Sequence, residues 1–138
     1  MAEFISTVDL LGDEVVADSI IDRSITEFRD AFVTSIKVNC FYNAFNLTLV
    51  DLASAVKIEI NAFYSCRNLK TMIIRSEIVC EINNNLGISS KPIVYVRRVL
   101  VDAFKAHTHW QTLAGEIRAL EDYTVDGTIY GDLDESKI

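Results

Sequence analysis

Apolar residues recur along this chain in two different rhythms. From Val33 to Val96 they alternate with polar residues in short runs, and the runs return every 22 residues. Ser35-Ile36-Lys37-Val38 lies over Lys57-Ile58-Glu59-Ile60 and over Val79-Cys80-Glu81-Ile82. Leu49-Val50-Asp51-Leu52 lies over Thr71-Met72-Ile73-Ile74 and over Ile93-Val94-Tyr95-Val96. Alternation with period two predicts strands buried on one face. A constant short step predicts stacked units that share one core, a solenoid. Ile36, Val38, Val50 and Leu52 are then inward in one repeat, and Ile58, Ile60, Met72 and Ile74 in the next. Between the two strand columns Phe41 falls on Phe63, Tyr42 on Tyr64 and Leu47 on Leu69, so an aromatic and a leucine fill each coil. Asn39 and Asn61 recur at the turn, where asparagine tolerates the left-handed conformation.

The pattern changes at both ends. Residues 1–12 read as a strand or an irregular lead-in. Asp13 reads as the N-cap of a short amphipathic helix reaching about Asp22, an N-terminal cap for the first repeat. Ile25-Thr26-Glu27-Phe28 reads as a degenerate copy of Leu49–Leu52, at a spacing of 24 and thus with two extra residues. Asn83–Ser90 reads as a loop without a counterpart to the aromatic or the leucine. From Val99 the period lengthens to that of a helix. Leu100, Ala103 and Phe104 form one face; Trp110, Leu113, Ile117 and Leu120 form another, giving a helical C-terminal cap. Asp126-Gly127 between two β-prone triplets predicts a tight hairpin. The expected fold is α+β: one domain, a short β-solenoid of about three 22-residue repeats. Residues 1–32 form its N-terminal cap, 33–98 the repeats, 99–120 the helical C-terminal cap and 121–138 an acidic hairpin and tail.

Charge narrows the function. The net charge is −7, and the six acids and one lysine of residues 121–138 supply −5 of it. That disfavours a nucleic-acid partner, whose phosphates need a basic patch, and an anionic membrane surface. No apolar run reaches the roughly 18 residues of a membrane span. The first twelve residues lack the basic and apolar regions of a signal peptide, so a chain that leaves the cell is expected to do so by another route, for example as part of a particle. The tail reads either as a solvated terminus or as a docking arm that orders on a partner.

Candidate chemistry is sparse. Cys40, Cys66 and Cys80 form no C-x-x-C pair and read as buried thiols. His107 and His109 stand two apart on a helical stretch without a neighbouring ligand, and read as helix-end residues. Glu59 and Glu81 stack behind Lys37 on an outward face without the cleft that paired catalytic acids need. Neither a metal, nor a cofactor, nor a catalytic residue is expected. The outward column Asp51, Ile73 and Tyr95, with Ile93 beside it, is less ordinary, because an apolar strip there marks either a partner surface or a face covered by the caps or the tail. The expected contact residues are Asp51, Ile73, Ile93 and Tyr95, with Leu133 and Ile138 on the tail.

Ala62-Phe63-Tyr64-Ser65-Cys66-Arg67-Asn68-Leu69-Lys70, set between paired strands, resembles the bacterial surface-antigen type of leucine-rich repeat. The segment from Ile93-Val94-Tyr95-Val96 through Val99–Ala106 and Trp110 to Ala119–Thr128 is similar to the C-terminal region of short repeat proteins of bacteriophages and prophages. The resemblance covers the chain from about Val8. It implies a non-enzymatic virion structural protein, on the head surface or in the tail, assembled in the host cytoplasm and working through protein–protein contacts. The alternative it implies is a bacterial or prophage adhesin module that binds a host protein or glycan. Either role implies a homo-oligomer or a larger assembly. Lys37 and Glu59 where the family has a small residue, Ala44 where it has Cys, Arg97 where it has Pro, and the low repeat number favour a compact module over a long ligand-binding horseshoe.

Overall fold

The computed structural model describes residues 24–138, together with the backbone of Glu3–Phe4 and Glu14–Val15. Among the described residues, nine short strands run in chain order. They are β1 (Glu3–Phe4), β2 (Glu14–Val15), β3 (Glu27–Asp30), β4 (Ser35–Ile36), β5 (Leu49–Leu52), β6 (Lys57–Ile58), β7 (Thr71–Ile74), β8 (Ile93–Val96) and β9 (Glu116–Ala119). All pair in parallel, in a six-stranded sheet β1-β3-β5-β7-β8-β9 and a three-stranded sheet β2-β4-β6. The larger sheet pairs Glu3 with Glu27, Glu27 with Leu49, Leu49 with Thr71, Thr71 with Ile93, and Ile93 with Glu116, in steps of 24, 22, 22, 22 and 23. This is the coiled architecture that the 22-residue period predicts, each turn adding one strand to the larger sheet.

The core is a column of side chains, one set per coil. Phe41 and Phe63 stack with ring centroids 5.1 Å apart and planes within 1°, and Phe28 meets Phe41 edge-on at 4.8 Å. Val50, Leu52, Ile58, Met72, Ile74, Val94 and Val96 line the same interior and are fully buried, as are Leu47 and Leu69. Asn39 and Asn61 take φ of 58° and 57°, and Asn43 and Ser65, again 22 apart, take 60° and 63°. The left-handed turn thus repeats with the period, on residues that tolerate it or bond their own backbone there.

Several sequence expectations are corrected. Val38 and Ile60 are exposed, because the second-column strands end at Ile36 and Ile58 and the chain turns outward before Asn39 and Asn61. The degenerate first copy needs no extra residues: Glu27–Asp30 pairs with Leu49–Leu52 at the regular step of 22. Asp30 holds the inward place of Leu52, and its Oδ1 accepts the backbone N–H groups of Phe32 and Val33 at 2.8 Å. That local bonding makes a buried carboxylate tolerable and hides the repeat from a hydrophobic reading. In the second column Lys57 lies opposite Glu81, a step of 24, rather than opposite Val79. A slip of two preserves the inward side of every residue, and it sets Glu81 beside Lys57 instead of Glu59.

Both predicted caps change character. Glu14–Val15, expected at the start of a helix, is a strand parallel to Ser35–Ile36; residues 16–22 of that expected helix lie outside the described residues. At the other end a 3-10 turn, Arg98–Leu100, leads into two short helices, α1 (Val101–Ala106) and α2 (Thr108–Leu113). Phe104, Trp110 and Leu113 close the core, with the Trp110 indole N–H donating to the Cys80 carbonyl at 2.8 Å. Ile117 and Leu120 do not continue α2, which stops at Ala114: the chain returns to the sheet as β9, which carries Ile117, and Leu120 opens a separate 3-10 turn, Leu120–Asp122. Gly115 permits that return, since a Cβ there would lie 2.5 Å from the Lys91 carbonyl oxygen. The Asn83–Ser90 segment is irregular as expected, yet Leu86 and Ile88 from it are buried in the core. Asn84 Oδ1 accepts the Leu86 N–H and Asn85 Oδ1 the Gly87 N–H, which fixes a backbone that no repeat pattern specifies.

Candidate functional site

The outer face of the six-stranded sheet carries the strip expected to meet a partner. Register aligns Arg29, Asp51, Ile73, Tyr95 and Arg118 in one row across five strands. The neighbouring row is Glu27, Leu49, Thr71, Ile93 and Glu116. Both rows end on charged residues; between them lie Ile73 and Tyr95 in the first row, and Leu49 and Ile93 on either side of Thr71 in the second. At one end Arg29 bridges Glu27 at 3.1 Å and Asp51 at 3.2 Å. At the other, Arg118 bridges Glu116 at 3.0 Å, donates to the Tyr95 hydroxyl at 3.2 Å and lies 4.8 Å over the Tyr123 ring. The hydrogen bond between them holds the Glu116 carboxyl below the usual carboxylate range and raises the Arg118 guanidinium further.

The middle of the strip is not open. Leu120, Tyr123, Ile129 and Leu133 fold back over it, and Ile73 and Tyr95 each keep 1% of their surface exposed. Tyr95 meets Tyr123 edge-on at 5.4 Å. Of the two possibilities for this strip, cover by the chain's own tail is the one the fold adopts. Ile73 and Tyr95 are therefore unavailable as partner contacts in this conformation. The physical reason is the cost of leaving a contiguous apolar strip in water when the same chain can bury it.

Arg75 fixes the tail in place. It follows β7, is 8% exposed, and grips both oxygens of Asp51, Nε to Oδ1 at 2.9 Å and Nη2 to Oδ2 at 3.0 Å. Its remaining terminal nitrogen donates to the carbonyls of Ile129 at 2.5 Å and Gly131 at 2.9 Å. A planar guanidinium suits this double task, a carboxylate on one edge and two carbonyls on the other. Periodicity overlooked Arg75, Arg118, Tyr123 and Ile129. The available signal was an arginine directly after inward Ile74, 24 residues after an outward aspartate.

The tail is a closed loop rather than a two-residue hairpin. Thr124 and Leu133 form an antiparallel bridge, the Val125 N–H donates to Asp132 at 2.9 Å, and the Asp134 N–H to Tyr123 at 2.8 Å. Asp126-Gly127 sits within that loop: Asp126 Oδ1 accepts from the Thr128 N–H and hydroxyl, and Gly127 takes φ of 72°. Asp134 accepts likewise from Ser136. These hydrogen bonds lower both carboxyls below the ordinary range. A cleft of about 420 Å³ remains between tail and sheet. It brings Ile73, Leu133 and Ile138 together with Arg29 and Leu49. Asp51 stands outside it, engaged by Arg29 and Arg75, and Ile93 packs in the apolar cluster beneath the tail.

The remaining candidates have structural partners. Burial pushes the Cys66 and Cys80 thiols up to about 12, so neither is a nucleophile near neutrality. His107 caps α2, its Nδ1 accepting the N–H groups of His109 at 3.2 Å and Trp110 at 3.4 Å. Lys37 pairs with Glu59 at 3.4 Å. Among the described residues, no group of three or more His, Cys, Asp or Glu could hold a metal ion, and no helix is long and apolar enough to cross a membrane.

The family model for the BspA type leucine rich repeat region matches residues 6–92, more than half of the chain. The match ends where β8 begins, so the two helices, β9 and the tail lie beyond it. No curated protein and no solved structure matches the chain.

Proposed function

Because the chain belongs to the BspA-type leucine-rich-repeat family, whose repeats make protein–protein contacts, we propose that it serves as a non-enzymatic structural protein of a bacteriophage virion, on the head surface or in the tail. One observation carries the reading: among the described residues the interior is filled by the Phe28–Phe41–Phe63 column and its neighbours, so this part of the chain offers surfaces rather than an enclosed chamber. The acidic tail, built onto the sheet through Arg75, turns the outer face into a composite surface. Ile138, 58% exposed at its end, and the partly exposed Leu133 and Ile93 are its apolar contact points. The C-terminal segment that carries the phage resemblance is the one that makes this surface. The partners are then other virion proteins, in a homo-oligomer or larger assembly.

A second reading is an adhesin module for a host protein or glycan. It draws on a different surface, where Tyr42 and Tyr64 stack at 5.2 Å and are themselves partly exposed, in the same repeats as exposed Val38 and Ile60. Mass spectrometry of purified particles separates the two. Stoichiometric peptides of this chain in banded virions support the structural role. Their absence, with recovery of the chain from the host surface by mild proteolytic shaving, overturns it in favour of adhesion.

A further inference from the structure

Among the described residues, β9 is the C-terminal edge of the six-stranded sheet and pairs with β8 alone. The Ile93 N–H donates to Lys70, toward β7. In a parallel sheet the backbone groups of successive residues point to alternate sides. The register of β8 with β9 therefore turns Glu116 and Arg118 toward β8 and turns the N–H and C=O groups of Ile117 and Ala119 away from it. The Ala119 C=O is taken up at the start of the 3-10 turn Leu120–Asp122, which leaves the Ile117 N–H and C=O and the Ala119 N–H as the outward edge. Unpaired strand edges are templates for another strand, and proteins usually pair, cover or twist them away.

The side chains along this edge are self-complementary. Glu116 and Arg118 stand on the same outer face, two residues apart, with Ile117 between them on the core side at 7% exposure. A two-fold axis at Ile117 would bring a second β9 alongside in antiparallel sense. Glu116 then faces Arg118 of the other copy, Arg118 faces Glu116, and the two Ile117 residues exchange both backbone hydrogen bonds. The charged residues fall at the non-hydrogen-bonded positions, where cross-strand side chains lie closest. The 3-10 turn Arg98–Leu100 neighbours β9, and its Val99 is 83% exposed.

We propose that β9 is the seam of a symmetric dimer, in which a second copy of this chain continues the sheet through Ile117. The pairing is isologous, so it closes at two copies. Four residues per strand make a small interface, and the dimer is reversible. The seam lies apart from the tail surface and does not depend on the virion reading.

Sedimentation equilibrium of the full chain, up to millimolar protein, tests this. The expected result is a monomer–dimer equilibrium with slow amide exchange at Ile117 in the dimer. Glu116→Arg and Arg118→Glu each place like charges across the seam and weaken the dimer at least about tenfold. Mixing those two variants restores every opposite-charge pair, so the mixture forms a heterodimer although each alone is monomeric. Arg118 also holds Tyr95 and Tyr123, so near-ultraviolet circular dichroism checks that Arg118→Glu keeps its fold. Glu116→Arg alone is decisive should it not. A wild-type chain monomeric at every concentration overturns the proposal. So does a dimer that Glu116→Arg leaves unchanged, or one in which the Ile117 amide still exchanges freely.

Discussion

Arg75 and Asp51 meet edge to edge, two nitrogens on two oxygens at 2.9 and 3.0 Å, in a sheet where their residues stand 24 apart. The pair does two things. It satisfies a nearly buried charge, and it aims the free edge of the guanidinium at the tail carbonyls of Ile129 and Gly131. The acidic C-terminus is thereby part of the folded domain, and the apolar row beneath it is core.

Arg75→Ala should strand Asp51 without its main partner and release two tail carbonyls. Removing one member of a buried ion pair costs roughly 3–5 kcal/mol, and Arg29 remaining near Asp51 places this case at the lower end. Urea melts should show the loss, and limited proteolysis should cut first within residues 124–134. A variant as stable and as protease-resistant as the parent would mean that the apolar cluster alone holds the tail.

Phe63 is fully buried and stacked on Phe41. Phe63→Ala should destabilise the chain by roughly 3–5 kcal/mol, the usual range for truncating a core aromatic. A loss below about 1 kcal/mol in equilibrium urea melts would show that the column relaxes around the gap, contrary to close packing.

Gly87 occupies a place where the backbone, with φ of 75°, suits glycine. A Cβ there would lie 2.7 Å from the Cα of Tyr64. Gly87→Ala should therefore cost roughly 1–3 kcal/mol from backbone crowding and a strained φ together. Differential scanning calorimetry reads the effect; an unchanged melting temperature would show that the Asn83–Ser90 segment shifts freely from the column.

Stability should fall with rising pH in the alkaline range. Burial raises Cys66 and Cys80 from the ordinary 9.0 to about 12. The unfolded chain loses these protons near pH 9 while the folded chain keeps them. Their contribution is therefore complete below pH 9 and is lost progressively up to about 12. Comparing urea midpoints of the parent and Cys80→Ala across that range isolates the effect, and the variant should show the shallower decline. Parallel declines would remove Cys80 from the cause.

The sequence by itself determined the coil. A step of 22 residues, apolar residues at every second place in Val50/Leu52 and Met72/Ile74, and the recurrence of Phe41 at Phe63 leave a stacked parallel solenoid as the arrangement that buries these positions together. Those signals are local and periodic, and each repeat confirms the next. Tertiary structure decided the exceptions, because each rests on a contact between residues far apart in sequence or on a backbone bond that hydrophobicity does not report. Asp30 keeps an inward place because two N–H groups meet it. Ile117 and Leu120 recur at helical spacing, yet Gly115 lets the chain turn against Lys91 and spend Ile117 on another strand. Ile73 and Tyr95 face outward as alternation requires. Whether they meet water, a partner or their own chain was settled only by Arg75 reaching across 54 and 56 residues to hold the tail over them.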